Sequence, residues 1–111
     1  MDQDALAQTT KLIVQDFELE QKKEDTLSEE DLFRLLADQI AYMIEYRLEY
    51  LLSLMYRLDI DENQVNDALA PFAPEPANIG LARLVLERQK RRVYTKTHFK
   101  QEEKLDDDWI F

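Results

Sequence analysis

Residues 28–58 read SEEDLFRLLADQIAYMIEYRLEYLLSLMYRL, 31 residues without Gly or Pro. The stretch predicts one continuous helix from about Ser28 to Leu58, about 45 Å long at 1.5 Å per residue. Placed at 100° per residue, its apolar side chains cover most of the circumference. Leu32, Leu36, Met43, Tyr50 and Leu54 make one line. Phe33, Ile40, Ile44, Leu51, Met55 and Leu58 widen it on one side, and Leu35, Tyr42 and Tyr46 on the other. A polar strip of Arg34, Asp38, Glu45 and Glu49 remains. A helix apolar on so many sides needs covering from more than one direction, either by the rest of the chain or by a second copy.

Outward from this rod the chain supplies shorter elements. Residues 4–23 carry Leu6, Thr10, Ile13 and Phe17 at helical spacing with Val14 beside them, which predicts a first helix. The competing reading is a strand over Lys11–Glu20, and a lone strand has no pairing partner within the chain. Glu24–Thr26 breaks the pattern. Thr26 with Glu29, or Ser28 with Asp31, then has the spacing of a helix-capping box. After Asp59, the cap-like Asp61 with Gln64 predicts a short helix over about 62–70. Pro71-Phe-Ala-Pro-Glu-Pro76 is a stiff extended connection. A last helix runs from about Ala77 or Asn78 to Thr97. Ala82, Val85, Leu86, Gln89 and Val93 face one way, and Arg83, Glu87, Lys90, Arg91 and Tyr94 the other. There is no internal repeat.

The expected fold is therefore all-α: a bundle of about four helices built around the central helix 28–58, with 1–98 as one domain and 99–111 a charged tail that stays mobile until something holds it. The length of 111 residues suits one domain. One Gly and three Pro are too few for the turns of a β-sandwich or barrel. The third helix has few apolar residues to offer, so a symmetric dimer with the long helix packed on its own copy is the expected way to finish the burial.

Composition also excludes functions. With no Cys and a single His98, thiolate and histidine-rich metal sites are absent from the chain. No apolar run reaches membrane-span length, and MDQDALAQ lacks the basic-then-apolar order of a signal peptide. These features lead to the expectation of a cytoplasmic protein without a cofactor. The net charge of −10 disfavours generic binding to nucleic acid or anionic lipid. The charge is unevenly spread: residues 1–31 carry −7, residues 32–82 carry −5, residues 83–104 carry +5 and residues 105–111 carry −3.

Several residues merit reading as candidate sites. Arg47 lies near the middle of the apolar arc, where a buried guanidinium needs a carboxylate. It is either an anion or peptide pocket or one half of a structural ion pair, for example with Glu18 or Glu20. On that reading Arg47→Ala destabilises. Tyr42, Tyr46 and Tyr50, one turn apart, suit a core or dimer interface better than base stacking beside local acids. Asp38, Glu45 and Glu49 lack the Glu-x-x-His pairs of helical di-metal sites and read as a solvated face. Asp59-Ile-Asp61-Glu-Asn63 matches the first ligands of an EF-hand loop, but Gln64 and Ala70 stand where Gly and Glu are required, which leaves helix capping. Arg88, Lys90, Arg91 and Arg92 form a basic cluster able to touch phosphate or an acidic partner.

The chain closes on Leu105-Asp-Asp-Asp-Trp-Ile-Phe111. This segment resembles the acidic tip of bacterial single-stranded DNA-binding proteins, a run of Asp followed by a short apolar segment closing on Phe. The resemblance implies a docking peptide, with Asp106, Asp107 and Asp108 against a basic rim and Phe111 in a pocket. It covers six or seven residues. Trp109 stands where that family has a smaller apolar residue, and no β-barrel pattern precedes it. The other reading is a tail that folds back and buries Trp109 and Phe111 on its own domain or on a dimer mate. The functional expectation is a non-catalytic interaction or scaffold module. The alternative is a nucleic-acid-associated accessory protein that uses the basic helix 83–100 or the acidic tail.

Overall fold

A computed structural model describes residues 2–19 and 27–98, with side chains to residue 96. The described residues form five helices and no strand: α1 (Gln3–Phe17), α2 (Glu29–Tyr46), α3 (Leu48–Arg57), α4 (Glu62–Leu69) and α5 (Ala77–His98).

The helix starts follow short-range chemistry. Asp2 accepts from the Ala5 N–H at 2.7 Å, Ser28 from the Asp31 N–H at 3.0 Å and Asp61 from the Asn63 N–H at 2.9 Å. Each satisfies a donor that a helix leaves unpaired in its first turn. Of the two predicted starts for the second helix, the structure uses Ser28; Thr26 lies outside the described residues. α5 opens on the Pro76 carbonyl, which accepts from Ile79 and Gly80 N–H, both at 3.0 Å.

The helix ends correct the sequence reading twice. The first helix stops at Phe17 and does not continue to 23. Glu18 turns into the left-handed region (φ 56°), and the Leu19 N–H closes back onto the Val14 carbonyl at 3.1 Å. Residues 20–23 of that expectation lie outside the described residues, and the strand reading of Lys11–Glu20 fails because 11–17 are helical.

The larger correction concerns 28–58, which is not one rod. Arg47 leaves helical geometry (φ −143°, ψ 47°). Its N–H closes α2 onto Met43 O at 2.7 Å, and its carbonyl opens α3 by accepting from Leu51 N–H at 3.0 Å. An unbroken rod would present apolar side chains around most of its girth. Two shorter helices each present one face to the core: Leu32, Leu36, Ala37, Ile40 and Met43 from α2, and Leu51, Leu54 and Met55 from α3. α3 then ends with Asp59 left-handed (φ 63°), Asp59 N–H on Tyr56 O at 3.0 Å and Ile60 N–H on Met55 O at 3.2 Å. That is the paired hydrogen-bond pattern of a glycine-type helix stop, made here with Asp.

α5 packs against α1, α2 and α4, and α2 in turn packs against α1 and α3. α5 brings Leu81, Ala82, Val85, Leu86, Gln89 and Val93 inward, in agreement with the predicted inner face. Ile13 and Phe17 of α1, Val65 of α4 and Leu58 complete the core. Each fully buried aliphatic side chain there stabilises the fold by about 1.5–3 kcal/mol.

Polar side chains tie the elements together. Gln39 donates to the Phe17 carbonyl (3.1 Å), Asn78 to Ala37 O (3.1 Å) and Arg88 to Leu58 O (2.8 Å), so two helix C-termini are held by a neighbouring helix. Gln89, fully buried, donates to Asp16 at 3.0 Å and accepts from Arg92 at 3.4 Å. Among the described residues no buried side-chain polar atom is left without a partner. None of the helices is long and apolar enough to cross a membrane, again among the described residues.

Candidate functional site

The break at Arg47 decides where the sequence candidates go. Arg47 is exposed, not set in the core arc as the straight wheel placed it, because its own backbone is the point of interruption. It lies 3.7 Å from Glu18, with both side chains substantially in water. The acid is one of the two expected, but the pair is neither buried nor tight. The guanidinium also stacks 4.3 Å over the Tyr50 ring, a cation–π contact. Tyr50 is half-buried against the core.

Tyr42 and Tyr46 depart from the core reading: both are exposed. Their rings meet at 5.0 Å with a 43° tilt. Beyond the break, Leu48 (40% exposed), Leu52 (38%) and Tyr56 (84%) stand at i, i+4 and i+8 and therefore share one face of α3. Sequence reasoning missed this row as a unit. On an unbroken helix Leu48, Leu52 and Tyr56 lie outside the lines drawn through the core positions, so the wheel gave them no role.

A second surface of opposite character lies between α1 and α5. It is an open groove of about 660 Å³ lined by Lys11 and Leu12 of α1 and by Arg88, Arg92, Val93 and Lys96 of α5, with three further polar residues and no acid. Of the predicted basic cluster, Arg88 and Arg92 line this groove. Arg88 is also held by Leu58 O and lies 3.9 Å from Asp59. Lys90 points elsewhere, onto Glu29 at 3.1 Å and Glu87 at 3.8 Å. Arg91 is exposed. The periodicity of α5 separated Lys90 and Arg91 from the inner face. Lys11 joined the groove only through packing, from 77 residues upstream of Arg88.

The remaining acidic candidates have structural accounts. Asp38, Glu45 and Glu49 are exposed. Asp59 and Asp61 serve as a helix stop and a helix cap. Among the described residues no group of three or more His, Cys, Asp or Glu could hold a metal ion. Asp106, Asp107, Asp108, Trp109 and Phe111 lie outside the described residues.

One carboxylate is electrostatically distinct. Glu75, in the connection before α5, takes a two-pronged bond from Arg83 (2.9 and 3.2 Å). That hydrogen bond holds its carboxyl below the usual range and raises the Arg83 guanidinium in turn. Arg83 also lies 5.4 Å over the Phe33 ring, so the pair fastens the connection to the α2–α5 seam.

No protein-family model, curated protein or solved structure matches the chain.

Proposed function

We propose that this chain is a non-catalytic protein–protein interaction module that pairs with a second copy of itself through the outer face of α3 and the adjoining end of α2. The observation that carries the reading is the row Leu48, Leu52 and Tyr56, followed from the other side of the break by Tyr42 and Tyr46, all left in water by the fold. Large apolar side chains grouped on one element favour removal from water at about 25 cal/mol per Å². Aromatic residues are enriched at interface centres. The acids beside them, Glu45 and Glu49, would rim such a contact, and between two chains of net −10 they make association weaker at low salt.

Sedimentation equilibrium of the full chain tests this. The expected mass is twice the 13.2 kDa of one chain, with association strengthening as salt rises. Leu52→Glu/Tyr56→Glu changes two surface positions and should return the protein to a monomer with unchanged helix content. A wild type that stays monomeric at about 100 µM, where even a weak standard-size interface assembles, or a double variant that still dimerises, overturns the reading.

A further inference from the structure

The α1–α5 groove is a positive surface on a negative protein. Residues 1–82 hold 18 acids against six bases, and the excess of bases is confined to 83–104. No acid lines the groove beside Lys11, Arg88, Arg92 and Lys96, and Asp59, outside it, lies 3.9 Å from Arg88. Arg88 and Arg92 are partly engaged with Leu58 O and Gln89. Lys11 and Lys96 form no ion pair among the described residues, while Arg34, Arg47, Arg83 and Lys90 each have a carboxylate.

We infer that this groove is the seat of the chain's own acidic segment 105–111, LDDDWIF, bound in cis. Charge selects the pairing. Three consecutive aspartates would be repelled by the acidic surface contributed by residues 1–82, and the α1–α5 groove is the described concavity where cations gather without acids. Apolar chemistry agrees: half-buried Leu12 and the buried edge of Val93 line the same groove, and Trp109, Ile110 and Phe111 are costly to leave in water.

Reach permits it. The groove runs along α5 from Arg88 to Lys96, about 12 Å at helical rise, and α5 ends at His98. Seven residues separate His98 from Asp106, a span of up to about 25 Å when extended. That is enough to turn back alongside the helix that carries the cations. A tether this short holds the segment at an effective concentration in the millimolar range, so contacts too weak to bind a free peptide suffice in cis.

Trp109 is the single tryptophan and reports on the seat directly. In the full-length protein its emission is expected to lie to the blue of free tryptophan, with protection from acrylamide quenching that does not change on dilution. Lys11→Glu/Lys96→Glu should remove the protection while circular dichroism keeps its helical signal. So should Asp106→Asn/Asp107→Asn/Asp108→Asn, which leaves every described residue intact. Combining the lysine reversals with Asp-to-Lys changes at 106–108 should restore it. Arg34→Glu/Arg57→Glu, an equal change of charge away from the groove, should do nothing. A Trp109 that is fully quenchable in the wild type, or indifferent to the lysine reversals, overturns the assignment. Protection that falls on dilution places the segment on a second copy and overturns the cis seat. Retention on a single-stranded oligonucleotide that the reversals abolish, with Trp109 unmoved, gives the groove to phosphates instead.

Discussion

Arg47 and Gln89 show how little residue type alone says about energetic weight. On a straight helix Arg47 is a buried cation whose loss should be severe. In the fold it is an exposed hinge residue with a loose pair to Glu18 and a ring contact to Tyr50. Arg47→Ala is therefore expected to cost no more than about 1 kcal/mol. Gln89, a residue type usually found at the surface, is fully buried and bonded at both ends. Gln89→Ala removes both bonds and opens a cavity, for an expected loss of about 2–4 kcal/mol. Urea titrations of the two variants check the contrast, and equal losses would contradict this account. The inward placement of Gln89 was legible from its spacing with Val85, Leu86 and Val93. The exposure of Arg47 was not, because nothing in residues 44–50 signals a backbone break the way Gly or Pro does.

Among the elements, α4 and its connection depend on two local fits to α5. A Cβ placed on Gly80 would meet the Ala68 Cβ at 3.2 Å, so the two helices cross with no room for a larger side chain. Gly80→Leu should force α4 off α5 and cost about 1–3 kcal/mol, read as a lowered urea midpoint. The second fit is Glu75 with Arg83. Because folding depresses the Glu75 carboxyl, its contribution is present above the ordinary carboxylate range and fades as pH falls through the folded-state value. Glu75→Gln should therefore lower the melting temperature at pH 7, by a margin that is smaller at pH 3. A deficit of equal size at both pH values would rule out ionisation as the source. The short helix over 62–70 and the stiff Pro71–Pro76 link were readable from Asp61 and the prolines. The partnership of Glu75 with Arg83 was not, since it depends on how the link folds back over the first turns of α5.

For the molecule as a whole, charge opposes compaction. The ion pairs among described residues lie mostly at the surface and contribute little each, whereas a net charge of −10 repels itself throughout. Raising sodium chloride from about 10 mM to 150 mM shortens the screening length from roughly 30 to 8 Å, and the melting temperature should rise. A fall would show that specific ion pairs outweigh the repulsion. Hydrophobic periodicity, the scarcity of Gly and Pro and the capping residues Ser28 and Asp61 were enough, by themselves, to determine the all-helical character of the described residues, the starts of α2, α4 and α5 and the inner face of α5, because those signals act within a few residues of one another. The hinge at Arg47, the left-handed stops at Glu18 and Asp59, the packing of α5 on α1, α2 and α4, the exposed row of α3 and the meeting of Lys11 with Lys96 were decided only by tertiary structure. Each depends on which surfaces compete for burial when distant segments pack together, and that competition is not written in any local stretch of the chain.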